Sequence, residues 1–316
     1  MTATEHWIFW IAICFSFAAA LGLLATGSLL RRGLSVALAT LALVVPFEIG
    51  QGSVLRAAVG LELLWVCVKV IGLARERTPR SALFRALHLL VLHDLRHDGA
   101  FRGLRPGERP RWKPELRWRW LLASCAWGAC AAPLCWLALF QAPALPVPGG
   151  WLLRCAAGLG FAYTGVAGAL GLFEFVYRAC GLRPPIFHQQ PILATSVGEF
   201  WGRRWNRIVG SWLFAAFYRP LAARGQPGWG LIAAFVASAV LHLYFTWAAV
   251  GLGAGSRMAL FFVLQLPPLW LERRLAQSRW PSPARRLWTL GWLGLCSPLF
   301  VEPMLDILAG GFDPRF

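Results

Sequence analysis

Apolar residues in this chain come in long unbroken runs, not in strand-like alternation and not in the narrow stripe of a surface helix. Eight such segments can be marked, roughly Trp7–Leu30, Leu34–Phe47, Val54–Leu73, Trp120–Phe140, Trp151–Tyr177, Trp229–Val250, Met258–Leu271 and Leu287–Leu308. Runs of about 20 apolar residues match the thickness of a bilayer crossed by a helix, and without period-two alternation they are not barrel strands. Leu34–Phe47 and Met258–Leu271 are short for a span. The pattern predicts an all-α integral membrane protein with about eight transmembrane helices, forming one polytopic domain over residues 1–316. The first run has no basic residue before it and is longer than the apolar core of a signal peptide, so it is expected to be retained.

The polar connections sharpen this reading. Residues 75–119 hold twelve Lys or Arg, 178–228 hold seven and 272–286 hold five, while the alternate connections are nearly bare. The positive-inside rule then places the basic segments, including 75–119, in the cytoplasm and both termini outside. The expected location is a multi-pass integral membrane protein of the bacterial cytoplasmic membrane, or of the endoplasmic reticulum in a eukaryote. Within the 75–119 loop, apolar residues at 83, 84, 87, 90, 91 and 95 predict a basic amphipathic helix over Ser81–His97 on the inner membrane surface.

Composition agrees. Hydrophobic types are 58% and charged types 14% of the 316 residues, which excludes disorder and exceeds what one soluble core of this size can hide. The formal net charge is +17. On a soluble protein it would suggest nucleic acid; between apolar runs it reads as topology and contact with anionic membrane lipids, and no nucleic acid is expected. The eight cysteines contain no Cys-x-x-Cys pair and read as small buried hydrophobes. His93-Asp94 and His97-Asp98 repeat at i,i+4, but with six histidines in the chain no catalytic metal is expected.

Two regions carry candidate chemistry. His242 lies midway along the sixth segment, with Ser238 and Thr246 one turn away on either side. An ionisable residue at that depth is a functional candidate, the structural alternative being a neutral histidine bonded to a neighbouring helix. The second region is PILATSVGEFWGRRWNRIVGSWLF, residues 191–214. Ser196 and Glu199 form a capping box that predicts a helix start, Glu199 and Arg203 an i,i+4 pair, with Asn206 on the same face. Trp201 and Trp205 form an aromatic stripe flanked by Arg204 and Arg207; an interfacial helix explains the same pattern.

EFWGRRWN, preceded by P-x-L-A-T-S and followed 36 residues after its asparagine by a histidine in ASAVLH, resembles the wax-synthase-like branch of the membrane-bound O-acyltransferases. The likeness spans 182–247, and it departs where family members often have Glu after the histidine, since Leu243 stands there. It implies a central acyl-transfer chamber, amphipathic interfacial helices around it, and transfer of an acyl group from acyl-CoA, a co-substrate and not a resident cofactor, to the hydroxyl of a lipidic or small-molecule alcohol. It assigns catalysis to His242 and Asn206. Glu199, Trp201, Arg203, Arg204, Trp205, Arg207, Ser238 and Thr246 are expected to line the substrate path. A hydroxyl is a poor nucleophile that needs a base in reach, which a neutral imidazole supplies; Asn cannot titrate, and its amide suits a developing oxyanion or the orientation of the base.

Glu62 with Lys69, Glu174 with Arg178, and Glu302 with Asp306 place charge inside the apolar segments. They leave open a second class, a non-enzymatic transporter or lipid-binding membrane protein.

Overall fold

The computed structural model describes residues 3–24, 28–50, 52–76, 80–101, 108, 110–275 and 279–310. Helices are the regular secondary structure of the described residues, with no strand among them. The longer helices are α1 (Ala3–Leu24), α2 (Leu29–Leu41, continued by short turns to Glu48), α3 (Ser53–Ala74), α4 (Ala82–Leu90), α5 (Trp118–Trp136, continued to Ala144), α6 (Gly149–Ala179), α7 (Arg207–Leu213), α8 (Pro227–Val250), α9 (Leu252–Val263), α10 (Leu266–Arg274), α11 (Ser282–Cys296) and α12 (Pro298–Ala309).

Among the described residues, five helices are long and apolar enough to cross a membrane: Leu29–Glu48, α3, Trp118–Ala144, α6 and α8. The pair α11 and α12, bent by 50° at Ser297, makes a sixth if it is one broken span. The eight apolar segments therefore do not become eight uniform spans. Leu34–Phe47 gains length from Leu29 onward and qualifies, whereas Met258–Leu271 divides at Leu264 and Gln265 into α9 and α10. Pro267 and Pro268 sit where a second helix can start but where a continuous one would lose backbone hydrogen bonds. Within α1, the apolar stretch Trp7–Gly22 is shorter than a standard span.

Close packing of α8 against α9 frames the interior. Gly251, at φ +98, makes the turn between them, and a Cβ at Gly255 would lie 2.8 Å from the Leu243 carbonyl oxygen. Small residues at such crossings let helix backbones approach closely. This contact brings α9 alongside the face of α8 that carries His242.

The basic loop after α3 differs from its prediction. The amphipathic helix ends at Leu90, not at His97, and Leu95–His97 is a separate turn. Burial explains the difference. The Lys69 ammonium, only 5% exposed, donates to the carbonyls of His88 (2.6 Å), Val91 and His93 (3.3 Å). A buried cation needs such partners, and the chain leaves the helix to supply them. His93 and Asp98 are both buried and bond to each other at 2.8 Å, so His93 and His97 do not form a metal-binding pair on one helix face. Among the described residues no group of three or more His, Cys, Asp or Glu is placed to hold a metal ion.

Three of the acids inside the apolar segments also find specific partners. Glu174 accepts from the Phe187 N–H, and Arg178 donates to the Pro184 carbonyl at 3.1 Å instead of pairing with Glu174. Glu302 accepts from Arg154 at 2.9 Å, and Asp306 from Arg257 at 3.1 Å. These bonds fasten α6 to the segment that follows it and α12 to its neighbours.

Candidate active site

The motif 191–214 begins as its sequence predicts and then departs from it. Ser196 Oγ accepts from the Glu199 N–H at 2.9 Å, the cap expected of the S-x-x-E pattern. One turn later, Phe200–Arg204 widens into a π turn. With five residues between bonded groups, the side chain stacked on Glu199 is Arg204, whose Nε lies 2.7 Å from Glu199 Oε1; the expected partner Arg203 is exposed. Glu199 Oε2 accepts from the Thr195 N–H and hydroxyl, both at 2.8 Å. Burial alone would raise the Glu199 carboxyl, but the Thr195 bonds and the Arg204 guanidinium outweigh it and hold the group below its usual value.

The predicted continuous helix then breaks. Trp205 is extended, and Asn206 adopts φ +34, the left-handed region in which Asn is enriched. Two backbone bonds to the preceding segment fix this break: Gln189 N–H to the Arg204 carbonyl and Arg207 N–H to the Phe187 carbonyl, each 2.9 Å. Asn206 opens α7 without capping it, and its Oδ1 is buried with no partner among the described residues. Because amide oxygen and nitrogen exchange places on a side-chain flip, the group can accept or donate.

His242 projects from α8. Its Nδ1 lies 2.8 Å from the Ser238 carbonyl oxygen. A carbonyl only accepts, so in the neutral ring Nδ1 carries the hydrogen and Nε2 keeps the lone pair. The ring packs on Phe262 of α9 with centroids 3.9 Å apart. The backbone of Ser238, not its hydroxyl, thus orients the imidazole. Thr246 is fully buried one turn further on, and its hydroxyl has no partner among the described residues.

These residues meet at a cavity of about 910 Å³. Its wall on α8 is one helical face, Leu231, Ala234, Phe235, Ser238 and His242. Opposite stand Trp201, Gly202, Trp205 and Asn206 from the motif, and Val209, Gly210 and Leu213 from α7. Of the residues expected on the substrate path, His242, Asn206, Trp201, Trp205 and Ser238 line this space; Glu199, Arg203, Arg204, Arg207 and Thr246 do not. Trp201 packs among Phe235, Phe261 and Phe262, and its indole N–H donates to Gln265 at 3.4 Å. Glu199, Arg204 and Thr195 form the scaffold behind the motif.

Arginines from another part of the chain complete the lining. Arg273, Arg279 and Arg285, with Glu272, line the same cavity from the α10–α11 connection. Nothing in their local sequence marks them; the only prior signal was the basic run 272–286. His188 lies behind Trp205, ring centroids 5.1 Å apart, with both nitrogens buried and unpartnered among the described residues; burial lowers its pKa to about 4. It does not line the cavity.

Comparison with known proteins places this geometry. Residues 183–264 match the membrane bound O-acyl transferase family. The chain is similar to several proteins of Arabidopsis thaliana: 33% identical over 172 residues to a probable long-chain-alcohol O-fatty-acyltransferase 9, covering 47% of each chain. It is 35% identical over 146 residues to a probable long-chain-alcohol O-fatty-acyltransferase 7, covering 39% of this chain and 42% of the relative. The chain thus spans about half the length of the curated relatives it matches. The segment that carries Asn206 and His242 is thus the part of the chain that matches the membrane bound O-acyl transferase family.

Proposed function

We propose that this protein is a membrane-bound O-acyltransferase that moves an acyl group from acyl-CoA to the hydroxyl of an alcohol. The observation that carries the reading is the convergence of His242 and Asn206 on one cavity inside the matched segment. Nε2 of His242 takes the alcohol proton as the oxygen attacks the thioester carbonyl. The Asn206 amide stabilises the oxyanion of the tetrahedral intermediate. The C–S bond then breaks, its electron pair leaves with sulfur, and the imidazolium returns the proton to the thiolate. Transfer is direct, with no acyl-enzyme and no resident cofactor. The acceptor is a lipidic or small-molecule alcohol, which reaches the cavity from the bilayer.

The surroundings of the reaction follow from the charge pattern. The 75–119 and 178–228 segments face the cytoplasm, both termini face outside, and anionic lipids contact the arginine-rich side of a single polytopic domain. Cysteines introduced for Lys113 and Gln226 should resist an impermeant label added from outside, and one introduced for Val147 should react. Reversed labelling sinks this orientation.

For the activity, purified protein is incubated with a panel of acyl-CoAs and alcohols and ester formation is read by mass spectrometry. Ester that disappears in His242→Gln supports the reading; an equal yield in that variant, or none with any pair, overturns it. The transporter alternative loses support from three of the acids that suggested it, since Glu174, Glu302 and Asp306 are each bonded to a structural partner.

A further inference from the structure

We infer that Phe262 serves His242 in place of an acidic partner: its ring face holds the imidazole in one orientation and stabilises the imidazolium formed when Nε2 takes the hydroxyl proton. The inference rests on the acyl-transfer reading above and adds a positioning residue to the base named there.

The proton transfer makes a demand on the surroundings of His242. A neutral imidazole costs little in an apolar wall. Once it holds the alcohol proton it carries a full charge, and a buried charge without compensation is expensive. The Ser238 carbonyl, 2.8 Å from Nδ1, supplies one acceptor. Among the described residues no carboxylate is bonded to His242, and the residue after it is the apolar Leu243. Glu272, the one acid in the cavity lining among the described residues, accepts from the Val197 N–H at 2.6 Å and from Trp288 Nε1 at 3.3 Å. On α9, packed along the same face, the charged residue is Arg257, and it donates to Asp306 at 3.1 Å. On α12, Glu302 is held by Arg154 at 2.9 Å.

What faces the imidazole is aromatic. The Phe262 ring lies 3.9 Å away, centroid to centroid, at an interplanar angle of 31°. Phe245 is farther and more tilted, at 5.4 Å and 59°, and does not line the cavity. An aromatic face carries negative potential and attracts a cation within about 6 Å of its centroid, most strongly where water is excluded. Phe262 is 3% exposed and lines the cavity beside His242.

The ring is also fixed in place. It packs in a buried cluster with Ala239, Met258, Phe261 and Cys296. Two side chains pin the backbone on either side of it: Gln265, fully buried, donates from Nε2 to the Phe261 carbonyl at 2.9 Å, and Trp292 donates to the Leu264 carbonyl at 3.1 Å. Trp201 closes on Phe262 from the motif, ring centroids 5.6 Å apart. A face held this firmly keeps the imidazole at one rotation about its Cβ–Cγ bond, with Nδ1 on Ser238 and Nε2 left for substrate.

The test uses the full chain in lipid nanodiscs, with Phe262 replaced in turn by mono-, di- and trifluorophenylalanine, and separately Phe262→Leu. Fluorine withdraws electron density from the ring face while changing its size little, so the series reads electrostatics apart from packing. With an acyl-CoA and alcohol pair that gives ester, kcat should fall stepwise with fluorine count, to about tenfold below wild type at three fluorines, while KM for acyl-CoA stays unchanged. Phe262→Leu, which removes the face altogether, should lose about 30-fold in kcat. The same series at Phe261, buried in the same cluster but not lining the cavity, should leave kcat and the thermal midpoint near wild type. A kcat at Phe262 that ignores fluorine count overturns the inference even where Phe262→Leu is slow, because packing alone then explains that loss. An equal fall in the Phe261 series overturns it as well. Neither result touches the acyl-transfer reading so long as ester formation disappears in His242→Gln. An equal yield in His242→Gln, or no ester from any pair, overturns that reading and the inference with it.

Discussion

The cavity wall around His242 and the clamped loop around His93 make opposite use of the same side chain. His93 has the partner usually associated with a catalytic histidine, a buried carboxylate at 2.8 Å. Asp98 also accepts from the Arg183 N–H at 3.0 Å, and the His93 ring packs against Tyr177 and Phe187. His93 is 2% exposed, so its bonds serve to fasten the loop to the segment that leads into the motif. Among the described residues His242 is bonded to no acid, only to a backbone carbonyl, yet its ring lines a cavity shared with Asn206, whose Oδ1 has no partner there. On the proposed reading, access to substrate, and not the strength of the partner, separates the chemical histidine from the structural one.

Substitutions that exchange these roles would break the comparison. The largest effect is expected at His242. His242→Gln keeps the shape and removes the proton acceptor, so turnover per folded molecule should fall by ~10²–10⁴ while the thermal midpoint stays near wild type. Turnover within threefold of wild type would hand the base to another residue. Because burial keeps the His188 pKa near 4, that histidine is already neutral at physiological pH and would be tested next.

Asp98→Ala should show the opposite signature. Removing one member of a buried, hydrogen-bonded pair costs roughly 3–5 kcal/mol, read as a lowered thermal midpoint and reduced yield. Turnover of the molecules that remain folded should change little. A large loss of turnover at unchanged stability would make the loop part of the chemistry.

Asn206 sharpens the boundary, since it is both a strained backbone position and a cavity-lining amide. Asn206→Gly relieves the left-handed conformation and should lower turnover about 10²-fold without loss of stability. Asn206→Ala should match that loss and add about 1–2 kcal/mol of destabilisation. If the glycine variant keeps full activity, the amide is scaffold.

The smallest effect concerns Glu199. Its carboxyl is held below the usual value in the folded protein, so its stabilising contribution is complete above the ordinary glutamate pKa of about 4.3 and is lost as pH falls through the depressed value. Melting curves between pH 6 and pH 3 should show an acid-side loss that Glu199→Gln flattens. An identical acid limb in the variant would remove Glu199 from the anchoring of the motif.

Much of this was legible beforehand because it depends on local rules. The capping role of Ser196 follows from S-x-x-E, and the helical membrane class, though not the count of eight spans, from run length against bilayer thickness. The i,i+4 pairing of Glu199 with Arg203 failed because it assumed regular helical geometry through a turn that widens at Phe200. The helix over Ser81–His97 failed at Leu90 because periodicity cannot register a lysine on another helix that draws carbonyls out of line. The arginines of the α10–α11 region were invisible as a set, since Arg273, Arg279 and Arg285 line one cavity with the motif only in the folded chain.

By itself the sequence determined the solvent and the helical class, and it singled out Asn206 and His242 as residues to watch. Hydrophobic length, charge asymmetry and motif spacing are properties of the chain, readable before it folds. Only the tertiary structure decided which of the candidate side chains share a cavity, which nitrogen of His242 faces it, and which carboxylates are already held by structural partners. Those outcomes depend on contacts between residues far apart in the chain, such as Phe262 on His242, Phe187 on Glu174 and Glu272 on Val197. No local pattern encodes them, because each is fixed by how the helices cross.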